Sequence, residues 1–348
     1  MSFSIGIVGL PNVGKSTLFQ ALTRKQVNTS NYPFCTIDPN VGVVAVPDGR
    51  LDKLTGVLKP EKVLPTTIEF VDIAGLVKNA HKGEGLGNQF LSHIREASAI
   101  CHVVRVFEDE NISHVAGKLD PESDTETINL ELIFADLATV DQRLEEVRPK
   151  AKTGIKEAKE QLPVLEKIKE TLEAGKLVNT TPFSQEEEIL VKELNLLTSK
   201  PIFLVYNVSE QDIQKYDNKL AISARLEAEL SELSKKEAQE YLEEFGLKEP
   251  GLSRVIKKAY QVLELITFFT TQNNILQAWT VPQNTKAPQA AGRIHTDFEK
   301  CFIKAEVINW KDLVGCFSEI NAREQGKVRL EGKDYLVQDG DVIHFKTG

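Results

Sequence analysis

Residues 4–17 read SIGIVGLPNVGKST, and LFQALTR follows them. A short apolar run, a glycine-rich turn and a helical pattern, in that order, make the setting of a phosphate-binding loop. The spacing is Gly9-x-x-x-x-Gly14-Lys15-Ser16. In such a loop the backbone curls so that N–H groups, here from Asn12 to Thr17 and including Val13 and Gly14, face phosphate oxygens. Lys15 is placed to reach the β- and γ-phosphates, and the Ser16 hydroxyl to ligate Mg²⁺. The helix that follows adds its positive N-terminal end. A parallel, doubly wound α/β sheet is the expected scaffold.

A second strand, TIEFVDIAGL over 67–76, ends in Asp72-x-x-Gly75. After a P-loop this reads as the aspartate that holds Mg²⁺ through a water and the glycine whose N–H senses the γ-phosphate. Between the two motifs lies NYPFCTIDPNVG, where Thr36 is the candidate switch threonine that closes on the metal. Position 76 is leucine, which neither donates nor accepts, so it cannot orient an attacking water as a glutamine would. Histidine is the commonest proton-transfer side chain. His114, in the polar loop EDENISHVAG after the strand AICHVVRVF, is the catalytic candidate beside Lys15, and His81 in AHKGEGLG is the weaker alternative.

The stretch IFLVYNVSE, 202–210, is a third strand running into a loop. A guanine-binding protein would carry N-K-x-D here; this chain has Val208 for the lysine and Glu210 for the aspartate. Glutamate is one methylene too long for the same bidentate grip on guanine. Adenine offers an acceptor at N1 and a donor at N6, which a backbone N–H and C=O beside Val208 could meet, with Asn207 supporting the purine. Ser223 and Ala224, in LAISARLEAEL, could bring another N–H to the base.

From Asp72 to Asn207 is 207 − 72 = 135 residues, whereas two βαβ units need about 60. The excess has helical spacing (Ile128, Leu132, Ile133, Leu137, Val140, Leu144) and predicts an inserted helical hairpin over 123–198. Its turn, RPKAKTGIKEAK from Arg148 to Lys159, carries five basic residues against one acid. From 275 the pattern changes to short strands (QAWTV, CFIKAEVI, VRL, YLV, DVIHF) with about one helix. The expected domains are 1–122 with 199–274, an insert at 123–198, and a small β-rich module at 275–348.

Composition narrows the function classes. With 42 basic and 51 acidic residues the net charge is −9, so any RNA contact must come from a local patch. Four scattered cysteines form no C-x-x-C pair, which points to reduced thiols. MSFSIGIVGL enters a strand at once and no charge-free run approaches the length of a membrane span. A cytoplasmic protein is expected.

GLPNVGKST, NYPFCTIDPNVG, DIAGLVKNAHKGEGLGN, NVSE in place of NKxD, the helical insert and AGRIHTDFEKCFIKAEV with EGKDYLVQDGDVIHF together resemble the Obg-like ATPase (YchF) family. The last two segments resemble a TGS domain, a ubiquitin-like β-grasp module. The twelve residues from Gln211 to Ile222, between NVSE and SARLE, are fewer than the family pattern. The resemblance implies a Mg²⁺-dependent ATPase that prefers ATP over GTP and associates with ribosomes. It also implies, through Asn12, a K⁺ site at the phosphates. Two rival readings stay open: a ribosome- or RNA-binding scaffold with a structural nucleotide, and a GTP-preferring GTPase. Arg148–Lys159 and the TGS module are the candidate places for RNA contact, with a solvated charge run the default reading of the former.

Overall fold

The computed structural model describes residues 3–24, 40–73, 94–109 and 119–348. Thr36, Gly75, Leu76, His81 and His114 lie outside the described residues. The chain forms two compact units: residues 1–43 with 69–255, and residues 44–68 with 256–348.

The first unit is built on a six-stranded sheet in the order β2-β4-β1-β5-β6-β7. Ser4–Val8 (β1) pairs in parallel with Thr67–Asp72 (β4) and Ala99–Arg105 (β5), and β5 with Ile202–Asn207 (β6). Ala221–Ile222 (β7) continues the parallel run, and Val41–Ala45 (β2) lies beyond β4. Parallel strands covered on both faces need apolar side chains on both, and all seven residues of β5 are buried. The register sets Ile7 opposite Asp72, Val8 opposite His102 and Arg105 opposite Asn207. The polar ends of the strands thus gather at one edge of the sheet, where doubly wound folds bind ligands.

The inserted hairpin is present. Pro121–Lys152 (α3) starts with Asp120 accepting from Ser123 N and proline in the first turn, the expected N-terminal chemistry. It spans 32 residues, about 48 Å. Lys156–Glu173 (α4) returns antiparallel, with Lys169 on Asp141 at 2.7 Å and Arg148 on Glu166 at 3.5 Å. Such exposed pairs contribute little; the hairpin is held by its apolar seam, in which Val140, Leu144, Val147, Leu165, Ile168 and Leu172 are buried. At its base Asp136, 0 % exposed, accepts from Leu197 N (3.0 Å), Thr198 N (2.7 Å) and Thr198 Oγ1 (2.7 Å) and faces Arg95 at 3.5 Å. A buried carboxylate with that many donors ties the hairpin to the chain leading into β6.

The second unit is a mixed sheet in the order β11-β10-β12-β8-β9-β3. It differs in extent from the module expected at 275–348. Leu265–Gln272 (β8) and Ile275–Pro282 (β9) form one antiparallel hairpin, turned by Asn273 and Asn274, both at positive φ, as a tight hairpin turn requires. Phe302–Asn309 (β10) pairs antiparallel with Asp341–Thr347 (β12) and with Arg329–Glu331 (β11), and β12 pairs in parallel with β8. Four short helices, 287–294, 296–300, 310–316 and 319–324, stand where about one was expected. The stretch YLV is not a strand; its Leu336 makes only an isolated bridge to Lys286. Residues 44–68 supply Gly49–Leu58 (α2), whose Leu51 and Leu54 pack with Phe269 and Leu276, and Lys62–Leu64 (β3), parallel to β9.

Candidate nucleotide-binding site

The loop between β1 and Lys15–Arg24 (α1) turns on three positive φ values: Gly9 at 151°, Asn12 at 63° and Gly14 at 96°. A Cβ on Gly9 would collide with the Val103 carbonyl, and one on Gly14 with the Asn207 amide. Asn12 meets the left-handed conformation with a short amide side chain that tolerates it.

Lys15 is 7 % exposed, and its ammonium donates to the Leu10 carbonyl at 2.6 Å. Burial lowers its pKa to about 8, opposed by the charge of Asp72. Asp72 is buried at the end of β4, and its N–H donates to the Asn40 carbonyl at 3.0 Å. A lysine desolvated in this way gains most from an anion brought next to it. The Ser16 hydroxyl and Asp72 carboxylate are hard oxygen donors, which suits Mg²⁺ rather than a soft metal.

A cavity of about 690 Å³ opens in this unit, lined at one end by Asn12 and Gly14–Thr17 and at the other by Phe107–Asp109, Asn207–Gln211 and Ser223–Arg225. The size fits a mononucleotide. Asn207 stands between the ends. Its Nδ2 donates to the Val13 carbonyl and its Oδ1 accepts from Ala224 N, both at 2.9 Å.

Among the described residues, the expected phosphate-loop and base-side positions line one cavity, and several donors expected at the base are engaged within the protein. The Val208 N–H donates to the Ile222 carbonyl at 2.8 Å, so it is not presented to a base. The Val208 side chain is in the core with Ile213, Ala221, Leu226 and Leu230. The Ala224 N–H is taken by Asn207, and the Ser223 hydroxyl caps Ala224–Leu230 (α5) by accepting from Leu226 N at 3.2 Å. Glu210 lies 3.6 Å from Arg225. Long-range hydrogen bonds within the protein occupy the donors that the sequence placed at the base.

Two buried residues of β5 were not singled out in the sequence. Arg105 donates from Nε to the Phe107 carbonyl (3.1 Å) and from Nη2 to the Asp109 carbonyl (3.2 Å), and stacks 4.5 Å from the Phe107 ring centre. His102 is 1 % exposed, and among the described residues its Nδ1 has no hydrogen-bond partner. Burial, with the charge of Lys15 second, lowers its pKa to about 4. The one signal in the sequence was a basic residue inside an otherwise apolar run.

A P-loop at the edge of a parallel sheet, with a buried lysine and aspartate side by side, defines a P-loop NTPase. The chain belongs to the YchF family. Residues 265–348 match the YchF GTPase C-terminal family, described as a protein of unknown function, and residues 4–133 match the family described as 50S ribosome-binding GTPase. Over 99 % of both chains it is 52 % identical to a protein of Bacillus subtilis and 50 % identical to one of Escherichia coli O157:H7, each named ribosome-binding ATPase YchF. The solved structure of the Schizosaccharomyces pombe YchF GTPase superposes with a TM-score of 0.89 at 38 % identity, covering 99 % of this chain and 98 % of that one. No helix among the described residues is long and apolar enough to cross a membrane.

Proposed function

We propose that this chain is a cytoplasmic, ribosome-associated ATPase that hydrolyses ATP to ADP and phosphate and acts as a switch in translation or stress regulation. The observation that carries the reading is Lys15, desolvated at the mouth of a mononucleotide-sized cavity in a chain half identical, end to end, to relatives named ribosome-binding ATPase. Lys15 binds the β- and γ-phosphates, and the N–H groups from Asn12 to Thr17 close around them. Ser16, Thr36 and Asp72 would hold Mg²⁺, Asp72 through a water; when bound it supplies charge neutralisation on the phosphate oxygens. Gly75 senses the γ-phosphate. With leucine at 76, orientation of the attacking water falls to His114, and the rate is slow.

ATP is preferred over GTP. Support comes from Glu210, whose carboxylate faces Arg225 rather than standing alone for guanine. The β-grasp (TGS) module and the tip of the hairpin serve contact with the ribosome. At that tip Arg148, Lys150, Lys152, Lys156 and Lys159 are all exposed, a local patch suited to RNA phosphates.

The test pairs hydrolysis with sedimentation. Lys15→Ala and Ser16→Ala are expected to abolish ATP turnover and leave the thermal melt intact, because both side chains serve the ligand. The wild type is expected to co-sediment with ribosomes. Full turnover in either variant would falsify the phosphate site, and absence from the ribosomal pellet would remove the translation role.

A further inference from the structure

Arg105 lies at the end of β5, opposite Asn207. Its guanidinium side chain is 4 % exposed. A guanidinium is buried at a cost unless its donors are met. Here they are met by carbonyls of the turn that follows, at Phe107 and Asp109. The guanidinium carbon lies over the Phe107 ring, 4.5 Å from its centre, a contact for which an ammonium is not an equivalent partner. The same turn is held from the other side, since Val106 N and Phe107 N donate to the Asn207 carbonyl at 2.8 and 3.2 Å. The result is a braced lip, Phe107–Asp109, that lines the cavity beside Asn207. Asn207, whose side chain also bonds Val13, links lip and phosphate loop.

We propose that Arg105 is a positioning residue for base selection: it fixes the Phe107–Asp109 lip as one wall of the purine subsite. The proposal rests on the nucleotide-binding reading above. Arg105 acts through the turn it braces, and the Val208 and Ala224 donors are already engaged elsewhere, so base discrimination depends on the lip's shape. Loss of the brace then lowers affinity for the base part of the ligand and leaves the phosphate part intact.

The experiment measures dissociation constants of ATP, GTP and inorganic tripolyphosphate for wild type and Arg105→Lys, with kcat and KM for ATP. Lysine keeps the charge and loses the two-carbonyl fork. The expected result is an ATP affinity at least ten-fold weaker, an ATP-to-GTP ratio drawn towards one, tripolyphosphate unchanged within two-fold, and an effect on KM larger than on kcat. Equal loss for ATP and tripolyphosphate would show a merely structural residue, and unchanged ATP binding would show no role at all; either overturns the proposal. Should wild type prefer GTP, the ATP reading fails while the comparison with tripolyphosphate still decides Arg105. Hydrogen exchange on wild type covers the case in which the variant does not fold. ATP is expected to slow exchange at the amides of Phe107–Asp109 and tripolyphosphate is not; equal effects, or none, overturn the proposal.

Discussion

Asn207 donates its side-chain amide to the Val13 carbonyl at 2.9 Å across 194 residues of sequence, and both groups are buried. Because its Oδ1 also accepts from Ala224 N, one side chain joins the phosphate loop, the end of β6 and the start of α5. Asn207→Ala leaves a buried acceptor and a buried donor unpaired, at about 1–3 kcal/mol each. Lower stability in urea and ATP binding weakened by about ten-fold or more are expected, a tenfold change being about 1.4 kcal/mol. Urea melts and an ATP titration on the same variant check both; unchanged ATP affinity would mean the loop holds its shape without this bond.

Position 208 carries no surface side chain that could lie along a base. Val208 is packed among Ile213, Ala221, Leu226, Leu230 and Leu242. Val208→Lys would leave an ammonium uncompensated in that core, a cost of about 3–5 kcal/mol. Restoring a guanine-type sequence with Val208→Lys and Glu210→Asp is therefore expected to destabilise the chain rather than convert it to GTP. Glu210→Asp alone should fold normally and keep ATP ahead of GTP, since Glu210 already faces Arg225. Urea midpoints and paired nucleotide titrations distinguish the outcomes: a stable double variant that prefers GTP would show that the side chain at 208 does read the base.

His102 makes folding stability depend on pH. Its pKa is lowered from an ordinary 6.5 to about 4, first by burial and then by Lys15. The unfolded chain therefore binds a proton between about pH 6.5 and 4 that the folded chain does not. Stability from this residue is complete above about 6.5 and declines as pH falls towards 4, by about 3 kcal/mol at most for a single group. His102→Leu, with an apolar neighbour in register on each side at Val8 and Leu204, should flatten that slope. Melting temperatures from pH 4 to 7 for both proteins test it; parallel curves would assign the acid sensitivity to other groups.

Much of this was legible from residue types alone, for reasons that differ by element. Gly9 and Gly14 are readable because a side chain at either would collide with a neighbouring group, and Ile128 and Leu132 because helical spacing aligns one buried face; Asp136 was not readable, because its donors at Leu197 and Thr198 lie 61 and 62 residues on. Which N–H groups beside the base side of the cavity are already engaged was not legible, because it depends on pairings such as Val208 with Ile222 and Ala224 with Asn207, and local sequence does not state them. Residues 44–68 joined the second unit for the same reason: Leu51 and Leu54 find Phe269 and Leu276, more than 200 residues away. The four short helices near the C-terminus each have fewer than three turns of periodicity, so their apolar residues read equally well as strand.

The left-handed Asn12 bears on how charge is balanced during hydrolysis. At φ 63° it lines the cavity beside Gly14 and Lys15. Its amide oxygen suits a monovalent cation, and a K⁺ ion there would place positive charge near the phosphates where other P-loop proteins use an arginine. Leu76 gives the attacking water no polar partner, and His114 is the candidate to orient it. ATPase activity stimulated by K⁺ and not by Na⁺ is expected. His114→Ala should lower kcat by about one to three decades with little change in ATP affinity, the range of proton-transfer and water-orienting groups. Alanine at position 12 would add backbone strain of about 1 kcal/mol at positive φ, confusing a lost ligand with a distorted loop. Asn12→Gly keeps the loop's φ accessible and removes only the amide, so it is the cleaner variant. Steady-state hydrolysis in matched K⁺ and Na⁺ buffers should show stimulation in wild type and none in Asn12→Gly. If Asn12→Gly keeps the full K⁺ response, the cation acts elsewhere, and if His114→Ala turns over like wild type, another group holds the water.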